Sequence, residues 1–348
     1  KTVRRQRQMC IRDRPFRVSS LLGSKVASNK NLAITIDVIA ILTTVFGVTT
    51  SLGLGTVQIS AGLNHVFEIN ENFINQLMII AFITAIGIVS VSLGLDSGIK
   101  KLSQINMVLA ISLLLFIFIL GPTIFIINAL IQNFGAYLNT LIQSATWTEV
   151  YNETSWQNGW TLFYYAWWFA WAPFVSLFIA RISYGRSIKE FIIGVLFLPS
   201  AIVFIWMGVF GNAAIYQVIN ETSQISEMVS SNLPVALFTL FDVYPIAQFL
   251  SILSLILIVT FFVTSSDSGA LVASMLSSKS QSNINDDSPM LSRITWAILL
   301  GVLAAVLLYA GGLTALQTSV VITGVPFALI VVFACNQFLK SLKEEIIN

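Results

Sequence analysis

Residues 191–215 read FIIGVLFLPSAIVFIWMGVFGNAAI, a run of twenty-five residues without a charged side chain. As a helix this run is about 37 Å long, enough to cross the roughly 30 Å of hydrocarbon in a bilayer. The charged residues nearest to its start lie in the loop 181–190, which reads RISYGRSIKE. Because a helix is the single segment that satisfies its own backbone hydrogen bonds in lipid, the run predicts a transmembrane helix.

The same composition extends along the whole chain of 348 residues, of which 56% are hydrophobic and only 10% are charged. A soluble domain carries about 25% charged residues, so the deficit excludes an ordinary soluble fold. Eight apolar segments of membrane length lie at 32–60, 73–95, 105–130, 160–180, 191–215, 234–265, 294–309 and 313–338. The sequence therefore predicts an all-α membrane protein with eight transmembrane helices.

The charged residues predict the orientation. Lys and Arg are confined to every second connection, namely the start up to Lys30, then Lys100 and Lys101, 181–189, 279–293 and 340–343. The intervening loops contain glutamate but no Lys or Arg. Since positive residues stay in the cytoplasm, both ends of the chain are expected there, with 339–348 as a short cytoplasmic tail.

The first fourteen residues, KTVRRQRQMCIRDR, are basic and lack the apolar stretch of a signal peptide. We expect 1–14 to be an unstructured or foreign leader; a patch attracted to anionic lipid is the alternative.

The most informative aromatic stretch is 160–174, WTLFYYAWWFAWAPF. At 100° per residue its rings at Trp160, Tyr164, Trp167, Trp168 and Trp171 fall within an arc of about 100°. Trp171 lies about 16 Å deeper than Trp160, beyond the interfacial belt where tryptophan is usual. Indole faces attract a quaternary ammonium, so the pattern predicts a cationic-substrate cage. The alternative is that the rings only pack against neighbouring helices.

Two helices share a local motif, FGVTTSLG at 46–53 and FFVTSSDSG at 261–269. Echoes of this kind are typical of inverted-repeat transporters, although chance similarity between Ser-, Thr- and Gly-rich helices remains open.

The stretch WTLFYYAWWFAWAPFV followed by FIARISYGRSIKEF resembles the signature of the betaine/choline/carnitine transporter family. The likeness includes FGVTTSLGLGTVQISAGL, LDSGIKKLSQINM and FFVTSSDSGALV, in that order. It implies a twelve-helix fold with two inverted five-helix repeats, of which these segments match the last eight helices. The transport domain would be 15–338, with a partial first repeat at 32–132 and a complete second repeat at 160–338. With part of each site missing, we expect the chain alone not to transport.

The resemblance also implies roles for particular residues. The cage tryptophans fall on Trp167, Trp168 and Trp171, with Tyr164 and Tyr165 beside them. Tyr165 stands where the family usually has Trp, and Ser176 where it usually has Gly.

In sodium-coupled members of that family a sodium ion is held at positions that correspond to the Phe261 carbonyl, Thr264 and Ser265. Asp267 is expected near the cytoplasmic mouth, with a gating or cation-attracting role. The competing reading is that these hydroxyl groups bond to their own or a neighbouring helix.

The implied function is secondary active uptake of glycine betaine, choline or carnitine across a bacterial inner membrane, by sodium symport with alternating access. A homotrimer is implied as well. The alternatives are proton-coupled or exchange transport of a related onium compound, or a non-transporting membrane subunit. An enzyme would need a nucleophile, base or metal set at depth, so we expect none, and we expect neither an organic cofactor nor a nucleic-acid partner.

Overall fold

The computed structural model describes residues 17–94, 98, 100–152, 154–183, 185–221, 223–278 and 288–347. Within these ranges the chain is helical, with turns between the helices and no strand. The helices are α1 Val18–Leu21, α2 Ser24–Ser28, α3 Lys30–Phe67, α4 Phe73–Gly94, α5 Lys100–Leu120, α6 Thr123–Ala145, α7 Phe163–Ile182, α8 Ile188–Ile219, α9 Ile225–Ser231, α10 Ala236–Phe241, α11 Ala247–Ser277 and α12 Met290–Ile347. A π-helical turn, Gln157–Leu162, leads directly into α7. The predicted leader 1–14 lies outside the described residues.

Eight of the described helices are long and apolar enough to cross a membrane. The all-α membrane fold is therefore confirmed, but two predicted boundaries were wrong. The predicted segment 105–130 is divided at Gly121 and Pro122, since α5 ends at Leu120 and α6 begins at Thr123. The predicted segment 234–265 becomes a long helix only from Ala247, because short helical turns precede it.

The last helix reverses its direction at a glycine pair. Gly312 has φ +59° and ψ −141°, which breaks α12 into the halves 290–310 and 313–347. The first half runs along α4, where the Tyr309 and Phe73 ring centroids are 5.2 Å apart. The second half runs back along α3, where the Thr50 hydroxyl donates to the Leu316 carbonyl at 3.0 Å. These halves match the last two predicted segments.

The central helix is α3, which packs against α4, α7, α11 and the second half of α12. Glycine allows α11 to approach α3 closely: a Cβ on Gly269 of α11 would lie 2.8 Å from a methyl group of Val48 in α3. The two similar motifs, 46–53 and 261–269, thus lie against each other, antiparallel. Asp37 has a structural role near the start of α3, because its carboxylate accepts hydrogen bonds from the Ser19 amide at 2.9 Å and the Ser19 hydroxyl at 3.0 Å.

The helix α6 begins and ends at the same end of the bundle. Gly121, just before it, lies beside Tyr244 at the start of α11. Its C-terminal residues share a cavity with Trp156 and Tyr165, at the start of α7. Both α7 and α11 run antiparallel to α3, so both starts lie at the Phe67 end. Without α6, and with α12 counted as two, the described chain passes along the bundle eight times.

The two ends of the bundle differ in charge. One end, which we call the basic end, carries Lys30, Lys100, Lys101, Lys189 and Lys340. The other, the acidic end, carries Glu68, Glu71, Glu149, Glu221 and Glu227.

Candidate substrate and ion sites

Two tryptophans of α7 are held against α3 by their indole N–H groups. Trp167 Nε1 donates to Ser51 Oγ at 3.2 Å, and Trp171 Nε1 donates to the Gly47 carbonyl at 3.2 Å. The helices approach closely here because position 47 has no side chain; a Cβ there would lie 3.0 Å from that of Ala170. Both rings are partly buried and turned toward the protein.

Aromatic rings continue from these indoles toward the acidic end. Trp160 stacks on Tyr164 with centroids 5.5 Å apart and an interplanar angle of 9°. Tyr164 lies 6.0 Å from Trp167, and Trp156 lies 6.4 Å from Trp160. The predicted helical face is therefore real for Trp160, Tyr164 and Trp167.

The other two predicted substrate residues point elsewhere. Trp168 is 72% exposed and Tyr165 is 63% exposed. Among the described residues, no ring closes over them to complete a cage. The structure thus brings Trp167 and Trp171 together against α3 and leaves Trp168 on an adjoining, open side of α7.

The segment before α7 is organised by a buried glutamate. The Glu149 carboxylate accepts hydrogen bonds from the Thr154 amide, the Thr154 hydroxyl and, at 2.9 Å, the Gln157 amide. These bonds satisfy backbone donors at the start of the π-helical turn, where helical partners are lacking. A cavity of about 650 Å³ lies beside this segment, and Tyr165 is the one predicted site residue in its lining.

The predicted sodium ligands lie on α11. The Thr264 hydroxyl donates to the Phe261 carbonyl at 2.8 Å, so two of the three predicted ligand groups are in contact. The same hydroxyl accepts a hydrogen bond from Asn106 Nδ2 at 3.1 Å. Ser265 follows directly and is partly buried. Oxygen atoms are the ligands that hard cations take, so the donor set fits sodium.

Asp267 was predicted near the cytoplasmic mouth. It lies in the half of α11 nearer the basic end and is fully buried. Its carboxylate accepts hydrogen bonds from the hydroxyl groups of Ser90 and, at 3.1 Å, Ser268. A role in attracting cations from solvent is therefore not supported by this position.

Sequence reasoning did not assign the partners Ser51, Gly47 and Asn106. The first two lie in the motif 46–53, whose similarity to 261–269 does not indicate a partner for either residue. Asn106 lies in the stretch LSQINM, which contributed to the resemblance without a role of its own.

Comparison with known proteins shows which family the chain resembles. Residues 4–347 match the family model described as "BCCT, betaine/carnitine/choline family transporter". The chain is 40% identical to a glycine betaine transporter of Acinetobacter baylyi over 96% of this chain and 50% of that protein. It is 42% identical to a glycine betaine/proline/choline/ectoine transporter of Vibrio parahaemolyticus, over 89% of this chain and 55% of the relative. Identity to the high-affinity choline transport protein of Escherichia coli is 37%, over 93% and 48% of the two chains.

The chain spans about half the length of these curated relatives. The family consists of transporters rather than enzymes. Together with the eight membrane-length helices, the match over 4–347 identifies this multi-pass membrane protein as a member of the betaine/carnitine/choline transporter family.

Proposed function

We propose that the chain takes part in secondary active uptake of a quaternary-ammonium solute, such as glycine betaine, choline or carnitine. The observation that carries this proposal is the anchoring of Trp167 and Trp171, whose N–H groups bond to α3. An indole held by its edge can offer a ring face to a cation; Phe163 stacks on one face of Trp167, with centroids 5.3 Å apart, so the other face is the one proposed for the solute. The relatives include a glycine betaine transporter and a choline transport protein, which supports the same substrate class.

Trp168 is the substrate residue whose role can be tested with least damage to the fold, because it is 72% exposed. A cation–π contact at an exposed site contributes about 0.5–1 kcal/mol. Trp168→Leu is therefore expected to weaken binding of glycine betaine by about 2- to 5-fold. The measurement is calorimetric titration of the complete gene product that contains these residues.

The matched control is Trp168→Tyr, which retains an aromatic face and should retain most of the affinity. A neutral tert-butyl analogue of the solute should bind the parent and the Leu variant equally weakly. Unchanged betaine affinity in Trp168→Leu would remove Trp168 from the site.

We propose sodium symport as the coupling mode, with the ion at the Phe261 carbonyl, Thr264 and Ser265. Support comes from the spacing of three and four residues, which puts the three groups on one side of α11, and from the preference of hard cations for oxygen. Ion binding would favour the substrate-ready state, and one helix bundle would then rock against the rest of the predicted inverted repeats. Uptake that is equal in sodium and potassium buffers would contradict this coupling.

Proton-coupled or exchange transport is the second candidate, favoured by one observation. Asp267 is a fully buried carboxylate that accepts hydrogen bonds from the hydroxyl groups of Ser90 and Ser268. Uptake driven by a pH gradient without sodium would favour this candidate.

The setting proposed is the bacterial inner membrane with both chain ends in the cytoplasm, supported by the separation of basic and acidic ends. A homotrimer is proposed from the family resemblance, and the mass of the solubilised assembly would test it.

A further inference from the structure

Asn106 is buried in α5 with only half of its side-chain amide in use. It is 3% exposed, and its Nδ2 donates to the Thr264 hydroxyl at 3.1 Å. Its Oδ1 is buried and has no hydrogen-bond partner among the described residues. A buried acceptor without a partner costs about 1–3 kcal/mol, so its presence calls for an explanation.

The hydrogen bonds around Thr264 occupy the oxygens that a cation would use. The Thr264 proton points at the Phe261 carbonyl, 2.8 Å away. That carbonyl lies inside α11, where it also accepts the helical N–H four residues on. A carbonyl oxygen has two lone pairs and a hydroxyl oxygen has two, so the Phe261 carbonyl is fully used by hydrogen bonds in this arrangement and the Thr264 oxygen is half used.

We propose that Asn106 is a positioning residue whose amide turns over when sodium binds. With the amide reversed, Oδ1 accepts the Thr264 proton, and Nδ2 no longer occupies a lone pair of the hydroxyl. The Phe261 carbonyl is released from Thr264 at the same time. Both oxygens are then free to face the ion. Nδ2 moves to the buried place that Oδ1 leaves, so one amide atom of Asn106 is unpaired in either state and the gain comes from coordination of the ion. This inference rests on the sodium site proposed above.

An amide suits this role because it presents a donor and an acceptor at nearly the same distance from its neighbour. Rotation by about 180° about the last side-chain torsion exchanges the two, and that torsion is soft and roughly two-fold. Leucine has a similar volume but offers neither group, and aspartate offers only acceptors when ionised.

The test is equilibrium binding of radioactive sodium to the purified complete gene product, which does not depend on transport. Asn106→Leu is expected to weaken sodium binding by about 3- to 10-fold, the worth of one lost hydrogen bond. Asn133→Leu is the matched control, because Asn133 donates to another asparagine, Asn212 at 3.2 Å, between α6 and α8. It should leave the sodium affinity unchanged. Parent-like sodium affinity in folded Asn106→Leu overturns the proposal.

Asn106→Asp provides a second route in case the leucine variant does not fold. Its carboxylate can accept the Thr264 proton, so sodium should bind at least as tightly as to the parent; weaker binding overturns the proposal. Thr264→Ala separates this inference from the sodium site itself. If Thr264→Ala binds sodium as the parent does, the site is wrong; if it loses sodium while Asn106→Leu does not, only the role of Asn106 fails.

Discussion

A single missing Cβ lets the second half of α12 approach the aromatic helix α7. A Cβ on Gly324 would overlap the Ala166 carbonyl oxygen and lie 3.0 Å from the carbonyl carbon. Backbone atoms cannot rotate away as a side chain can. Gly324→Ala is therefore expected to separate the two helices and to destabilise the protein by about 1–3 kcal/mol, measured as a lower midpoint of thermal unfolding.

The control for this change is Gly194→Ala in α8, where an added Cβ meets nothing within 4 Å. Alanine favours a helix by about 1 kcal/mol over glycine, so this variant should be neutral or more stable. Equal midpoints for the two variants would contradict the packing argument.

At the scale of residues, the sequence predicted side-chain positions better than partners. The helical period placed Trp160, Tyr164 and Trp167 on one side of α7 and of the π-helical turn before it, and their ring contacts agree with this. Ser51 and Asn106 were not predicted as partners because they lie 116 and 158 residues away from the groups they bind. Such contacts depend on how helices pack, and the local period does not contain that information.

The reversal in α12 depends on one glycine conformation. Gly312 has φ +59° and ψ −141°, a combination that residues with a Cβ rarely adopt. Gly312→Ala should cost about 1–3 kcal/mol and disturb the packing of both halves. The measurement is again the thermal midpoint in detergent.

Gly311→Ala is the neighbouring control, since φ −169° there is extended backbone that any residue adopts. Its Cβ would lie 3.1 Å from the Ala315 methyl carbon, so a small shift of α12 accommodates it. A midpoint lowered more by Gly311→Ala than by Gly312→Ala would show that crowding, not the backbone angle, sets this turn.

At the scale of elements, apolar length predicted most helices and failed for α6. The start of this helix, TIFIINAL, is as apolar as a crossing segment, so the sequence joined it to the helix before. The direction of α6 is set by the break at Gly121 and Pro122 and by its packing on α8, where a Cβ on Gly208 would overlap the Leu130 side chain. The direction of the chain after this break and the packing of α6 on α8 cannot be deduced from composition.

At the scale of the whole molecule, the distribution of charged residues predicts the orientation in the membrane, and this prediction depends on α6 not crossing the bilayer. The number of passes along the bundle, eight, agrees with the prediction, although some helix boundaries differ. The number is predicted well because basic connections alternate with glutamate-bearing ones, and this alternation does not depend on the boundaries of any one helix. If α6 crossed the membrane, every later connection would change sides, and the basic and acidic ends would mix.

Single cysteines can test that alternation in cells. After Cys10 and Cys335 are replaced by serine, Ile124→Cys and Gln143→Cys, at the two ends of α6, should both react with a membrane-impermeant maleimide from outside. Asn152→Cys, at the acidic end, is the positive reference. Lys189→Cys and Lys340→Cys, at the basic end, should react only after permeabilisation, since positive residues stay in the cytoplasm. Labelling of Gln143→Cys in the manner of Lys189→Cys would mean that α6 spans the bilayer, and the order of sides for all later helices would then have to be reversed.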